Sequence, residues 1–442
     1  MRLPDLRPPA LPAVAPMPPV AGPRLPWVGA APGLLRDPTG WFTRQRARHG
    51  DTFVVDALAH RFFCVFGPVG VASLYAVPER EASFGLATYT MIRTKVPDEL
   101  FGDIRNPPHK LFGGQRVEGY LANLEQAMAA ELDVLGERGT FDAFGECRRI
   151  GHRLGLASWA GHEAASPAHI EPLIDALDRL DTSESFVHPL RTVATVATGH
   201  ARERRAMAEI EAILATVLAE RRRRPDARPG DFLDQIDESF ADVDQPRHDQ
   251  LVARDVIVLH LGSQSNLFAA LAWTLVNLLQ DPDALDAVRA GDDALLDRFA
   301  YESIRVAQRS ITMRQVLRPL TFTTDQGDFD LRPGTLITTM LSTLNTTVDP
   351  RLATFDADHY DGRRLALADE LPAKELVSTF GHGTHTCPAQ RFSISAIRTA
   401  VRALVDRYDL VAGFDRPGPL TRQIGGVARA DRPTPVHFRP RG

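Results

Sequence analysis

The sequence predicts a mainly α protein with a small β region, and three observations carry that prediction. Long stretches repeat apolar residues at helical spacing: Val117 to Leu135, Ala201 to Arg224, Asp255 to Leu279, and Ala389, Phe392, Ala396, Ile397, Ala400 and Leu404. Asp51 to Phe66 is rich in Val and Phe and alternates in part, as a hairpin does, with Thr52 to Val55 and Arg61 to Phe66 as its strands. Ser310 to Arg314 and Leu331 to Ile337 read as strand, turn and strand.

With 44% hydrophobic residues, 24% charged and a net charge of −5, the chain can bury a large core and is not a nucleic-acid binder by charge. Arginine supplies nearly all the positive charge, since only Lys95, Lys110 and Lys374 are lysines, a composition that points to a GC-rich bacterial genome. Cys64, Cys147 and Cys387 form no disulfide framework and suit a reducing cytoplasm. No run approaches the roughly 18 consecutive apolar residues of a membrane span, and the proline-rich start lacks a signal-peptide core. A soluble, cytoplasmic protein is expected.

Taken in order, residues 1–26 are read as an extended, flexible arm, because Pro8, Pro9, Pro12, Pro16, Pro18 and Pro19 bar regular helix and strand. Residues 27–442 then form the folded domain. Trp41 to His49 reads as a first helix ending at Gly50, and residues 85–108, with little periodicity and several turn formers, as a long irregular loop. His109, Lys110 and Arg116 lead into the Val117 helix. From about 140 to 255 the chain is helical with short breaks, and Arg221 to Arg224 forms a solvated helix end, where cations suit the dipole.

Asp255 to Leu279 is the most apolar helix, and its polar patch from Gly262 to Asn266 stands out. Polar groups in a buried helix cost free energy unless paired or wetted, so the patch is expected to border a cavity. Asp281 caps a further helix, with Pro282 at its first turn. Glu302 and Arg305, at i and i+3, share a helix face and can pair.

The stretch from Phe380 to Arg391, Phe-Gly-His-Gly-Thr-His-Thr-Cys-Pro-Ala-Gln-Arg, joins a glycine-kinked loop to an amphipathic helix. Cys387 is expected at that helix's N-terminus, where free N–H groups and the dipole lower a thiol pKa and favour a thiolate, a metal ligand or nucleophile. His382, His385 and Cys387 have no Cys/His partner pair elsewhere at zinc spacing.

Phe-Gly-x-Gly-x-His-x-Cys resembles the haem-ligating loop of the cytochrome P450 superfamily, apart from Ala389 where that family usually has glycine. The resemblance implies a P450 fold in one large domain, haem b as cofactor and Cys387 as the axial iron ligand. It places Phe380 beside the sulfur, Gly381 and Gly383 in the tight bulge, and His385 and Arg314 on haem propionates. A further propionate contact falls to Lys110 or Arg116. It also implies that Glu302 and Arg305 lock the core, with His359 in Phe355-Asp-Ala-Asp-His standing where the third member is usually arginine and giving a weaker triad. Val306 to Thr312 and Gly425 to Ala428 would face substrate, with Val306, Ile311, Gly425 and Val427 foremost.

In the central helix the family's acid and alcohol are replaced: Ser265 falls on the acid and Asn266 on the threonine. With Gln264 these form a neutral catalytic cluster able to order water. Ser-Gln-Ser-Asn resembles a branch that includes cholesterol 7-alpha-hydroxylase and prostacyclin synthase. The resemblance therefore implies a monooxygenase acting on a lipophilic terpenoid, steroid or fatty-acyl compound, with electrons from ferredoxin and ferredoxin reductase. An oxygen-independent hydroperoxide or endoperoxide isomerase or dehydratase, and a haem protein that binds ligand without turnover, remain open alternatives.

Overall fold

The computed structural model describes residues 18–23, 28–57, 60–93, 95–102, 117–180, 195 and 197–442. The expectations for Lys110 and Arg116, and most of those for the N-terminal arm, lie outside these residues. Where the arm is described it is extended and fixed, because Ala21 N donates to Val54 O and Val54 N to Pro19 O, pairing the arm with a strand edge.

The chain opens with α1 (Ala31–Arg36) and α2 (Pro38–His49), the latter capped by Asp37, whose carboxylate accepts from Gly40 N. The expected hairpin follows as β1 (Thr52–Ala57) and β2 (His60–Val65), then α3 (Pro68–Ala76) and the short β3 (Ala82–Ser83). Part of the expected irregular loop is α4 (Phe84–Ile92). Its β-branched, aromatic and Gly content hides it from propensity, but Ser83 Oγ accepts from Leu86 N and Glu79 accepts from Phe84 N and Gly85 N, so the first turn is fully capped.

The helical body comprises α5 (Val117–Leu135), α6 (Ala143–Trp159), α7 (Ile170–Leu180), α8 (Ala201–Arg223), α9 (Phe232–Ser239), α10 (Arg247–Leu279), α11 (Pro282–Arg289) and α12 (Asp293–Ala307). Between α5 and α6 lies β4 (Gly139–Asp142). At 33 residues α10 runs roughly 50 Å and begins eight residues earlier than its apolar stretch, at Arg247 instead of Asp255. It packs against α6, α8 and α12, and buries Val256, His260, Gln264, Leu267, Leu271 and Leu275 along one face. By length and mean hydropathy α10 is apolar enough to cross a membrane, yet 61% of its most apolar window is buried inside the protein, as a core helix requires.

After α12 come β5 (Ile311–Val316), β6 (Leu320–Thr324), β7 (Gly327–Leu331), β8 (Leu336–Met340) and α13 (Leu341–Thr347). The main sheet has the order β1-β2-β8-β5-β3, with β2 and β8 parallel and the other pairs antiparallel. The expected strand, turn and strand are therefore β5 and β8, and the chain between them forms a second hairpin, β6 and β7. Last come α14 (Gln390–Arg407), β9 (Tyr408–Ala412) and β10 (Pro435–Pro440), the two strands joining β4 in a small antiparallel sheet.

Candidate active site

Cys387 lies three residues before α14 begins at Gln390, so the sulfur precedes the helix instead of sitting in its first turn. Burial pushes its thiol pKa up, opposed only by the Ala389 N–H, so the expected lowering by the helix terminus is not what the fold supplies. The thiol stays protonated at neutral pH, and would become a ligand only by losing that proton to a metal. Its own N–H donates to Phe380 O at 2.6 Å, closing the loop. Gly381 makes the closure possible: φ is +78°, and a Cβ there would sit 2.4 Å from His385 O. Phe380 is half-buried and meets the Tyr301 ring edge-on, while Tyr301 stacks on Tyr360 and accepts from Gln390 Nε2.

Glu302 and Arg305 are fully buried and form a two-pronged pair, Arg305 Nε and Nη2 donating to the two carboxylate oxygens. His359, expected to be a weak third member, is close enough: its Nδ1 lies 2.9 Å from Glu302 Oε1, which also accepts from Asp356 N. The remaining guanidinium protons go to the carbonyls of Asn345, Leu352 and Thr354. Asn345 then carries the arrangement to the thiol loop. Its amide donates to Arg305 O and Ser378 O and accepts from Ser378 N, and Ser378 Oγ accepts from Gly381 N. Neither Asn345 nor Ser378 has a local sequence signature.

On the sheet side, Arg314 is buried and donates to the carbonyls of Val77 and Ala82. One carboxylate oxygen, Glu79 Oε2, lies 3.7 Å from both Arg314 Nη1 and His385 Nε2. Burial lowers the pKa of His385, with Arg314 acting in the same direction, and Phe84 packs on its ring.

The polar patch of α10 divides by helical rotation. Gly262 and Asn266, one turn apart, are exposed in the middle of this core helix. Asn266 Oδ1 accepts from Val427 N at 3.0 Å, which fixes the amide and leaves Nδ2 without a protein partner among the described residues. Gln264 points the other way. It is 1% exposed, on the face of His260, and neither amide atom has a hydrogen-bond partner, so the expectation that it joins Ser265 and Asn266 is corrected: two residues along a helix is about 200° of rotation.

Ser265 is half-buried and lines a cavity of about 1040 Å³ together with Asp142, Arg148, Asp178 and Arg202. The 425–427 segment is laced to the end of α12: Arg309 N donates to Gly426 O, Gly425 N to Arg309 O, and Gly426 N to Ser310 Oγ. Gly425 and Val427 thereby reach Asn266 through main chain, with Val306 and Ile311 half-buried on the adjoining segment.

Residues 169–437 match the family described as Cytochrome P450. The chain belongs to the cytochrome P450 family. A P450 monooxygenase, pyvB, of Aspergillus violaceofuscus is 23% identical over 90% of this chain and 85% of its own length. Bovine prostacyclin synthase is 21% identical over 94% of this chain and 92% of its own. A putative cytochrome P450 137 of Mycobacterium tuberculosis is 27% identical, with 60% of this chain matching 55% of that protein. The protein is thus a P450 oxidoreductase, and membership implies a haem cofactor; P450 monooxygenases in general take lipophilic substrates and need a redox partner.

The residues present suit a haem. Cys387 is unpaired and partly accessible, whereas Cys64 and Cys147 are buried. Arg314 and His385 already share a carboxylate, that of Glu79, which is the chemistry a propionate presents.

Behind the site, α10 and α6 meet through a histidine pair that the sequence did not reveal. Trp159 Nε1 donates to His260 Nδ1, so His260 Nε2 must donate to His152 Nδ1 at 2.9 Å, and His152 Nε2 to Asp178 at 3.0 Å. Burial, and then His152, push His260 well below the usual histidine range. The unfolded chain protonates this residue near pH 6.5 and the folded chain does not, so stability is lost as pH falls through that value. The expected slope is up to about 1.4 kcal/mol per pH unit. Urea midpoints at about pH 7.5 and about pH 5.5 check it against His260→Gln, whose dependence should be shallower; equal slopes would refute the assignment.

Proposed function

We propose that residues 27–442 act as one haem-thiolate domain, a haem b monooxygenase that oxidises a lipophilic terpenoid, steroid or fatty-acyl compound with dioxygen and electrons from a ferredoxin-type donor. A bacterial, soluble and cytoplasmic protein belongs to the same reading. The observation that carries it is Asn266, an amide locked by Val427 N and presenting Nδ2 in the middle of the core helix.

Cys387 would hold the haem iron, and Arg314 and His385 its propionates; the bound group supplies dioxygen activation with thiolate donation. The chain's own part is proton handling without a titrating relay. Asn266 Nδ2 donates to a water, Ser265 passes protons through its hydroxyl, and the charged cavity beside Ser265 keeps that hydroxyl wet. Val306 and the 425–427 segment shape the substrate's place.

Asn266→Ala should lose about 1 kcal/mol of stability from the Val427 bond and release more reduced oxygen per product. Asn266→Asp, which keeps the acceptor and adds a titrating group, should make coupling pH-dependent. Product and peroxide yields per NADPH across pH check both outcomes.

Peroxide rearrangement is the second reading, favoured by the absence of both relay acid and relay alcohol at Ser265 and Asn266 and by the likeness to prostacyclin synthase. Two reaction regimes separate them. One holds NADPH, ferredoxin reductase, ferredoxin and labelled oxygen; the other holds hydroperoxides or endoperoxides without oxygen. Labelled product in the first alone supports the monooxygenase, and product in the second alone overturns it.

A further inference from the structure

Five arginines are buried among the described residues: Arg153, Arg221, Arg305, Arg309 and Arg314. Arg153 meets Glu131, Arg221 meets Glu163, Asp231 and Asp234, Arg305 meets Glu302, and Arg314 has Glu79 at 3.7 Å. Arg309, 9% exposed, makes no ion pair within 4.0 Å among the described residues. Removing a cation from water without a counter-charge is expensive, and folds rarely retain one for stability. Burial drags its pKa down to about 10, and the acid that acts on it from a distance, Asp37, is already engaged with Gly40 N and Arg44.

The hydrogen-bond pattern of Arg309 says what is wanted. Nη1 is used, donating to Val306 O at 3.1 Å and Gln308 O at 2.9 Å, so the head group folds back onto its own segment beside Val306. Nε is buried and unpartnered, and Nη2 makes no hydrogen bond among the described residues. Nε and Nη2 form the side-on edge of a guanidinium, whose two parallel N–H groups match the two oxygens of a carboxylate. The same edge grips a carboxylate in Arg61–Asp56, Arg305–Glu302 and Arg398–Asp297. In Arg309 this edge is unpaired among the described residues. Its main chain is bonded to Gly425 and Gly426, and the next residue, Val427, binds Asn266, so the unpaired fork is anchored on the ribbon that borders the reacting region.

We propose that Arg309 binds the carboxylate of the substrate, making that substrate a lipophilic acid held by its head group with its apolar body along Val306 and the Asn266 face of α10. The proposal rests on the reading of these segments as substrate-facing, but it is tested by binding, without oxygen, reductant or turnover. Calorimetric titration of the haem-loaded protein with hexanoate, decanoate and hexadecanoate, each against its matched alcohol, should show at least one acid binding about 10- to 100-fold more tightly. Arg309→Gln should erase that preference and Arg309→Lys retain part of it. A second readout is thermal: with no ligand, Arg309→Met should unfold at a higher temperature than the wild type, because an uncompensated buried charge has been removed. No acid preference in the wild type, or a preference that survives Arg309→Gln, overturns the proposal, as does a lower midpoint for Arg309→Met. Acids bound through Arg309 with no labelled product would leave it standing and sink the monooxygenase reading instead.

Discussion

Glu302→Ala is expected to lower the unfolding free energy by about 3–5 kcal/mol, the largest stability effect of any single change considered for this chain. The carboxylate accepts from both prongs of Arg305, from His359 and from Asp356 N, all with the charge at zero exposure. Its removal leaves a guanidinium stranded in the core, and the carbonyls of Asn345, Leu352 and Thr354 can offset only part of that charge. Urea denaturation should show the drop. Glu302→Gln, which keeps acceptor and volume, should recover a minor part, since an amide cannot match both prongs. A loss under about 1 kcal/mol for Glu302→Ala would mean that the pair is not what joins α12 to the 352–359 segment.

Cys387→Ser should leave the fold intact and abolish oxidation. The side chain is only partly buried and the loop is closed by the main-chain bond to Phe380 and by Gly381, neither of which the substitution touches. The carbon-monoxide difference spectrum of the loaded protein should lose its thiolate band, and labelled product should fall by at least about 10³-fold, the loss of the whole thiolate contribution. Unchanged urea midpoints would separate this from misfolding. A retained thiolate band would move the ligand to another cysteine, and both remaining ones, Cys64 and Cys147, are fully buried with thiols pushed far up by that burial.

What could be read from the sequence followed how local each signal was. The Cys387 loop was legible because glycines, cysteine and helix start lie within a dozen residues, and the Glu302–Arg305 pair because both sit on one helix face. The start of α10 was misplaced because its first four residues, Arg247 to Gln250, and then Arg254 are polar on the sequence scale, and Arg254 is accommodated only by pairing across the fold with Glu211. The β6–β7 hairpin did carry an alternating signal, Leu-Thr-Phe-Thr-Thr and Gly-Asp-Phe-Asp-Leu, around the turn Asp325-Gln326. Gln264 was grouped with Asn266 by adjacency, where rotation about the helix axis separates them. Asn345, His152 and His260 were not legible at all, and Arg309 only as one position of the substrate-facing stretch Val306 to Thr312, since each acquires its role from partners or from missing partners far away in the chain.

The amide of Asn345 has a consequence for how long the protein keeps its cofactor. It ties the carbonyl of Arg305 to Ser378, and Ser378 holds Gly381, so the thiol loop cannot swing open without also breaking bonds that anchor the buried charge pair. With Cys387 as the proposed iron ligand, haem escape would be gated by the same local opening that begins unfolding, and its half-life would become a property of the core instead of the metal bond. A substitution 42 positions upstream of Cys387 in the chain would shorten that half-life while leaving the ligand itself untouched.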